Sequence, residues 1–537
     1  MKIFEKLWNF VTRGVLSCRR TDSPWRTIRS YSCIFFSFFK SFFFAFSAPL
    51  RWAELLGKLI MIRIISQYSG LKTLIIVFIL LVLSNQNNDR LYGNETGKSL
   101  SETSDPAIHI IFTGEENGYL EPCGCSEKEL GGLPKRHSLI NLLRKRDENW
   151  ILLSLGDLPG KVGRQDEIKM ETILKALDQM GYTAHNIGEK DISMGIDLLG
   201  YLSQISNVDF ISSNIVNLNP QILKIKPYII KEIKINETTL KVGILGIVSP
   251  ELIDDAYQEI EVVDPIESLK PLLSKLSGKT DLLILLSHAE IEDSIKIAEI
   301  YPELDLIISG HRVDRPDLYL KKVNNTYVIP VGEKGKYLGT ITMLPKFSRT
   351  NEDRPSKSNL PSVEIISLDE RFEDSPEIKM LLKIYQQRLR DEELLAQVFK
   401  TDLPSNLTFI GNDDCAVCHN KIFNHWEKTG HASAYETLVK AEHEYDPECI
   451  ECHVIGLNYF TGFETIESTP KLKGVGCESC HGPGSSHKET QSKDYGMVDA
   501  DSCIICHEDE HSPNFQFKDY WQKIIHPPED KNRNSYN

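Results

Sequence analysis

Four times in the last 123 residues of this 537-residue chain, two cysteines stand three positions apart with a histidine directly behind the second. The motifs are Cys415-Ala-Val-Cys418-His419, Cys449-Ile-Glu-Cys452-His453, Cys477-Glu-Ser-Cys480-His481 and Cys503-Ile-Ile-Cys506-His507. The spacing suits covalent haem. Two thiols add to the vinyl groups of the macrocycle, and the adjacent histidine turns under the ring to bind iron. A zinc ribbon gives no reason for a histidine to recur after every pair, and a disulfide framework needs none. The reading is four c-type haems, with His419, His453, His481 and His507 as proximal ligands. Each haem then has about 31 residues of chain. So lean a segment cannot bury its cofactors in a conventional apolar core. The haems are expected to be the core, stacked closely enough to pass electrons.

The sixth ligands decide which irons are closed. His431 lies in HWEKTGHASAYETL beside the small Ala432 and Ala434, which let a haem face approach. His487 follows the tight turn Gly482-Pro483-Gly484, and His526 follows Trp521 by five residues. These three are the expected distal ligands; His425, His443 and His511 read as well as surface histidines. Seven histidines for four irons leave one iron five-coordinate, able to bind a small ligand.

The succession CAVCH, HW-x-x-T-G-HA-x-A, CIECH, GVGCESCHGPGSSH and CIICH resembles the tetrahaem cytochrome c-554/c-prime family over about residues 408–530. The resemblance implies three bis-histidine haems and one with an open axial position, in a periplasmic electron carrier of respiratory chains. It carries the proximal role onto His419, His453, His481 and His507, and the distal role onto His431, His487 and His526.

Residues 107–345 have a different rhythm. Apolar strands are expected at Ile108–Phe112, Ile151–Leu155, Val242–Ile247, Leu282–Leu286 and Leu306–Ile308. Amphipathic helices lie between them, such as Glu167–Met180 with Gly181 as its stop. This alternation makes a layered α/β domain. Polar clusters follow the strands, where α/β proteins build sites: Glu115 and Asn117, Gly156-Asp157, Gly188-Glu189-Lys190-Asp191, Ser287-His288, and Gly310-His311.

Those clusters, with GGLPKRHSLI and GEKGKYLG, resemble the calcineurin-like metallophosphoesterases in their 5′-nucleotidase branch. An intact site of that family uses D-x-H, G-D, G-N-H-[E/D], a lone His and G-H-x-H to hold two metals. Here Glu115 and Asn117 replace the first pair, Glu189 and Lys190 replace Asn and His, and Val313 replaces the last His. Glu115, Asp157, His288 and His311 remain ligand-like. They suffice for one divalent ion, whereas two-metal phosphoryl hydrolysis needs both ions and a general acid. Lys190 would place a cation where the second metal should sit. Cys123 and Cys125, about one turn past Glu115, read as soft ligands to an altered metal site, as a redox pair, or as two buried thiols.

Charge separates the leader from the body. Lys and Arg number 61 against 76 Asp and Glu, giving −15, but residues 1–90 alone carry +9 and the rest −24. So acidic a body excludes a general nucleic-acid binder. The apolar run 73–83 is too short for the ~20 residues of a spanning helix. Its basic flanks suit a signal peptide whose start is Met61, or an uncleaved membrane anchor. The expected organisation is a leader (1–105), a metallophosphoesterase-like α/β sandwich (106–346), a linker with a spacer helix starting at Ser375-Pro376 (347–407), and a mainly α/irregular multihaem domain (408–537). The functional expectation is an exported, periplasmic-side electron carrier with redox-protein partners, its α/β domain a docking platform. The rivals are a reductase of a small nitrogen or sulfur oxide at an open iron, and a redox-coupled phosphoesterase.

Overall fold

The computed structural model describes residues 107–122, 130–145, 150–235, 237–253, 259–314, 316, 320–344, 361–508, 512 and 514–526. The leader, Cys123, Cys125 and His511 lie outside the described residues. Among those described, no helix is long and apolar enough to cross a membrane.

The apolar runs of the middle region become the parallel strands of two six-stranded sheets. In chain order the strands are β1 (Ile108–Thr113), β2 (Trp150–Ser154), β3 (Ala184–Asn186), β4 (Asp209–Ile211), β5 (Ile215–Asn217), β6 (Tyr228–Ile235) and β7 (Thr238–Val248). There follow β8 (Ile260–Val262), β9 (Leu282–His288), β10 (Leu306–Ser309), β11 (Lys321–Val323), β12 (Thr326–Pro330), β13 (Tyr337–Met343) and β14 (Ser362–Ser367). The first sheet runs β14-β13-β1-β2-β3-β4 and the second β11-β12-β10-β9-β7-β6, while β5 and β8 pair separately. Strands β1 to β4 are parallel, as are β7, β9, β10 and β12.

The period of two along a strand divides its side chains between two cores. Ile108, Ile110 and Phe112 of β1 meet Leu282, Ile284 and Leu286 of β9 in the layer between the sheets. Ile111 points the other way, onto helices Leu133–Arg144 and Arg164–Met180; Leu283 and Leu285 face helices Pro265–Leu276 and Ile291–Ile300. The result is an α/β layered sandwich with helices outside both sheets. The Asn186 amide bridges the sheets, donating to Leu155 O at 3.2 Å and Ile247 O at 2.9 Å. Helix Arg164–Met180 has Asp166 and Glu167 in its first turn and stops at Gly181, whose φ of 73° needs a residue without Cβ strain. A buried residue such as Leu177, truncated to Ala, would cost about 2–5 kcal/mol.

Part of the stretch expected to link the halves belongs to the sandwich. β14 extends the first sheet by pairing with β13. Helix Pro376–Asp391 is capped by Ser375 Oγ, which accepts from Ile378 N at 3.4 Å. Its apolar stripe of Ile378, Leu381, Leu382, Tyr385 and Leu389 is buried in the same core as Leu133 and Ile173.

The haem-motif region is mainly short helices and irregular chain. A small core of Phe409, Tyr435, Leu438, Ile450, Ile455, Phe463 and Leu472 holds its first half. Further along, helices Ser485–Thr490, Ala500–Ile504 and Phe517–Ile524 bury no residue at all. The last has Phe517, Tyr520, Trp521 and Ile524 on one face, each only half-buried.

Candidate functional site

The ligand-like side chains of the α/β domain stand at the carboxyl ends of parallel strands. Glu115 follows β1, Asp157 follows β2, Glu189 opens helix Glu189–Ser193 after β3, His288 ends β9, and His311 follows β10. The first three ride on one sheet and the histidines on the other. The loops are sharply bent: Asn117, Asp157 and Arg312 have φ of 52°, 52° and 55°, a left-handed region costly for residues other than glycine. At Gly188 a Cβ would collide with the Asp157 carboxylate and the His288 ring.

These residues converge. His311 Nδ1 lies 3.0 Å from Glu115 Oε1. His288 Nε2 bonds Glu189 Oε2 and stands 3.6 Å from both Glu115 Oε1 and Asp157 Oδ2. Two overlapping donor sets result: Glu115, His288 and His311; and Asp157, Glu189 and His288. Glu189 was not among the expected ligands, because the sequence comparison counted it only as a lost asparagine. An acidic residue directly after the strand-end Gly188 was the available signal, since carboxylate oxygen binds divalent ions as well as an amide does.

The site's charges explain one another. Burial opposes a charged His288, but Asp157, Glu189 and Glu115 push its pKa up to about 10. Burial would raise Glu189, yet its hydrogen bond to His288 brings it down to about 2. Glu115 is likewise lowered against burial, first by the His311 hydrogen bond. Asp157 goes well above the usual carboxylate range, because burial and the nearby carboxylates outweigh His288. The buried atoms Asp157 Oδ2, His288 Nδ1 and His311 Nε2 have no hydrogen-bond partner. Oxygen and imidazole donors with buried atoms to spare fit one divalent ion.

A second ion fits poorly. The Lys190 ammonium donates to Asn117 Oδ1 at 2.6 Å and stands 3.8 Å from Asp157 Oδ2. Asp191 is scaffold: it accepts from the backbone N–H of Asp157, Leu158 and Gly188 at 2.9 Å each, and pairs with His185. Beneath the Glu115 loop, the buried Arg136 makes two hydrogen bonds to Glu116, at 2.5 and 2.7 Å.

In the haem-motif region, three imidazole pairs stand out. Ring centres are 6.0 Å apart for His419 and His487, 6.1 Å for His431 and His507, and 6.1 Å for His481 and His526. Two imidazoles on opposite sides of one iron, each nitrogen ~2 Å from it, would be about 6 Å apart centre to centre. Nδ1 of His453, His481 and His487 donates to the carbonyls of Ala434, Gly496 and Ser492 at 2.7, 2.6 and 3.0 Å. A carbonyl only accepts, so the proton is on Nδ1 and the Nε2 lone pair is left for a metal. Among the described residues no imidazole pairs with His453. His425 is outside the pairs, and His443 is engaged with Glu121 at 3.4 Å. Cys415 lies close enough to Cys477, and Cys506 to Cys452, for each to perturb the other electrostatically; motifs one and three, and two and four, are therefore neighbours.

Comparison with known proteins matches this division. Residues 414–482 match the family model described as cytochrome c554 and c-prime. Over 107 residues the chain is 38% identical to cytochrome c-554 of Nitrosomonas europaea, taking in 17% of this chain and 45% of that protein. Over 252 residues it is 23% identical to the 2′,3′-cyclic-nucleotide 2′-phosphodiesterase/3′-nucleotidase of Salmonella typhimurium, covering 40% and 39%. It is 25% identical over 246 residues to the 5′-nucleotidase of Vibrio cholerae, covering 39% and 44%. The chain spans less than half the length of each of these relatives. A solved 5′-nucleotidase precursor from Thermus thermophilus aligns with a TM-score of 0.45 at 17% identity, covering 63% of this chain and 68% of that one. The chain thus joins a cytochrome c554-like region to a region similar to phosphoesterases and nucleotidases.

Proposed function

We propose that the chain is an exported electron-transfer protein with four covalent haems, three irons closed by paired histidines and one open. His419 with His487, His507 with His431, and His481 with His526 are the closed sets; His453 holds the open one. What carries the reading is the three ring separations near 6 Å. Haem bound there would supply a delocalised one-electron reservoir. The chain's own residues orient the imidazoles, and at His453, His481 and His487 the Nδ1 bonds to backbone carbonyls leave Nε2 for the iron. The α/β domain serves as a platform for redox-protein partners and binds one divalent ion at Glu115, Asp157, Glu189, His288 and His311. Lys190 takes the place of a second ion and stands where the phosphoesterase motif has its acid histidine, which weighs against phosphoester hydrolysis. The basic leader and its apolar run support export, with the run as a signal peptide or a membrane anchor, and the acidic body weighs against a nucleic-acid partner.

His453, which no imidazole pairs among the described residues, favours a second reading, reduction of a small nitrogen or sulfur oxide at that iron. Three measurements on the purified full chain decide: haem content, low-temperature paramagnetic resonance and the CO difference spectrum. Four haems, three low-spin signals and one CO per chain are expected. CO bound at none of the irons would sink the open site and the reductase with it.

A further inference from the structure

The second motif sits on a helix of two turns, Pro447–His453, and its N-terminal end is held from outside the haem region. Asp446 caps it, accepting from Glu448 N at 3.1 Å. Only 6% of Asp446 is exposed, and its carboxylate is shared across the boundary. Oδ1 accepts from Gln165 Nε2 at 2.8 Å, and Oδ2 from Gln386 Nε2 at 3.2 Å and the Tyr385 hydroxyl at 3.4 Å. Gln165 belongs to helix Arg164–Met180, and Tyr385 and Gln386 to helix Pro376–Asp391, both packed on the first sheet. Directly before Cys449, Glu448 meets Lys169 Nζ at 2.5 Å; the Lys169 side chain is 7% exposed. Further contacts gather alongside: Lys383 with Glu442 at 2.7 Å, His443 with Glu121 at 3.4 Å, and Arg390 over the Tyr445 ring at 4.9 Å.

A capping carboxylate with four donors fixes where a helix begins, and a buried ammonium cannot leave its counter-charge without a large penalty. The orientation of Cys449, Cys452 and His453 is therefore set from the α/β sandwich. We propose that Asp446 and Glu448 are positioning residues through which that sandwich tunes ligand affinity at the second iron, an inference resting on His453 as ligand of the open haem. A tilt at Cys449 would pass along the helix to His453, whose Nδ1 is pinned to Ala434 O, and so to the bond His453 makes with iron.

The test uses the full-length haem-loaded protein and the variants Asp446→Ala, Asp446→Asn, Lys169→Met and Gln165→Ala. CO affinity of the reduced protein reports the open iron, and the low-spin resonances of the other three are internal controls. Asp446→Ala and Lys169→Met are expected to shift CO affinity about tenfold with the low-spin signals unchanged. Asp446→Asn, which still caps, should shift it less. Gln165→Ala removes one donor and keeps the test alive if the stronger variants lose haem. CO affinity within about twofold of wild type in every variant that retains four haems would overturn the proposal. A wild-type protein that binds no CO would instead remove the open-haem assignment beneath it.

Discussion

Arg136 and Glu116 are both fully buried and bonded twice to each other. Removing one partner leaves an uncompensated charge, so Glu116→Gln or Arg136→Met should each lower stability by about 3–5 kcal/mol. Urea denaturation of the pair of single variants and the double variant checks this, because the double should lose less than the two singles together. At His487 the expected change is spectroscopic. If His419 and His487 close one iron, as their 6.0 Å ring separation suggests, His487→Ala should open it, raising CO uptake from one to two per chain and removing one low-spin signal. Unchanged CO stoichiometry would mean that this pair closes no iron. The C-x-x-C-H motifs are readable in the sequence because their spacing is local, and the cytochrome c554 match over residues 414–482 takes in three of the four. The pairing of His431 with His507, and of His481 with His526, is not readable there, because it depends on loops that bring distant segments together. Glu189 was missed for another reason: comparison with a motif scores an altered residue as a loss, while the fold still delivers its carboxylate to within reach of His288.

At the level of elements, the buried parallel strands were readable because their runs are apolar on both faces. β14 was not: Ser362–Ser367 is an edge strand with only part of its surface buried, and it follows a long polar stretch that reads as linker. The contact between the Glu121 loop and His443 gives this level its pH test. The Glu121 hydrogen bond raises the His443 pKa against burial, with Asp446 adding to it and Lys379 opposing it. Burial would raise Glu121, but hydrogen bonds from His443 and Lys379 hold it low. A raised histidine contributes fully below its unfolded value, ~6.5, and loses that contribution as pH climbs through its folded value. A lowered carboxylate contributes above ~4.3 and loses it as pH falls. The contact is therefore strongest between about pH 4.3 and 6.5 and weakens as the solution becomes alkaline. Urea midpoints against pH should show that decline in wild type and a flatter profile in Glu121→Gln; identical profiles would count against the contact.

Over the whole molecule, core is unequally distributed. The sandwich has three apolar clusters of its own, whereas the last helices bury nothing among the described residues. A variant with all eight motif cysteines changed to Ser should keep the sandwich folded and become sensitive to trypsin beyond about residue 482. Mass spectrometry of the digest reads the boundary, and a haem-free tail that resisted cleavage would show a core that the chain makes alone. The division of the metal donors between the sheets has its own mechanical meaning. The sheets are tied by side-chain packing, by the Asn186 amide and, beyond β4, by Ser213 N on Gly246 O and Asn214 on Val248, and a slip of one residue between them, ~3.3 Å, would carry Glu115, Asp157 and Glu189 past His288 and His311. A cation gripped from both sides would be a rivet through the two sheets, so added divalent metal should stiffen the sandwich against shear.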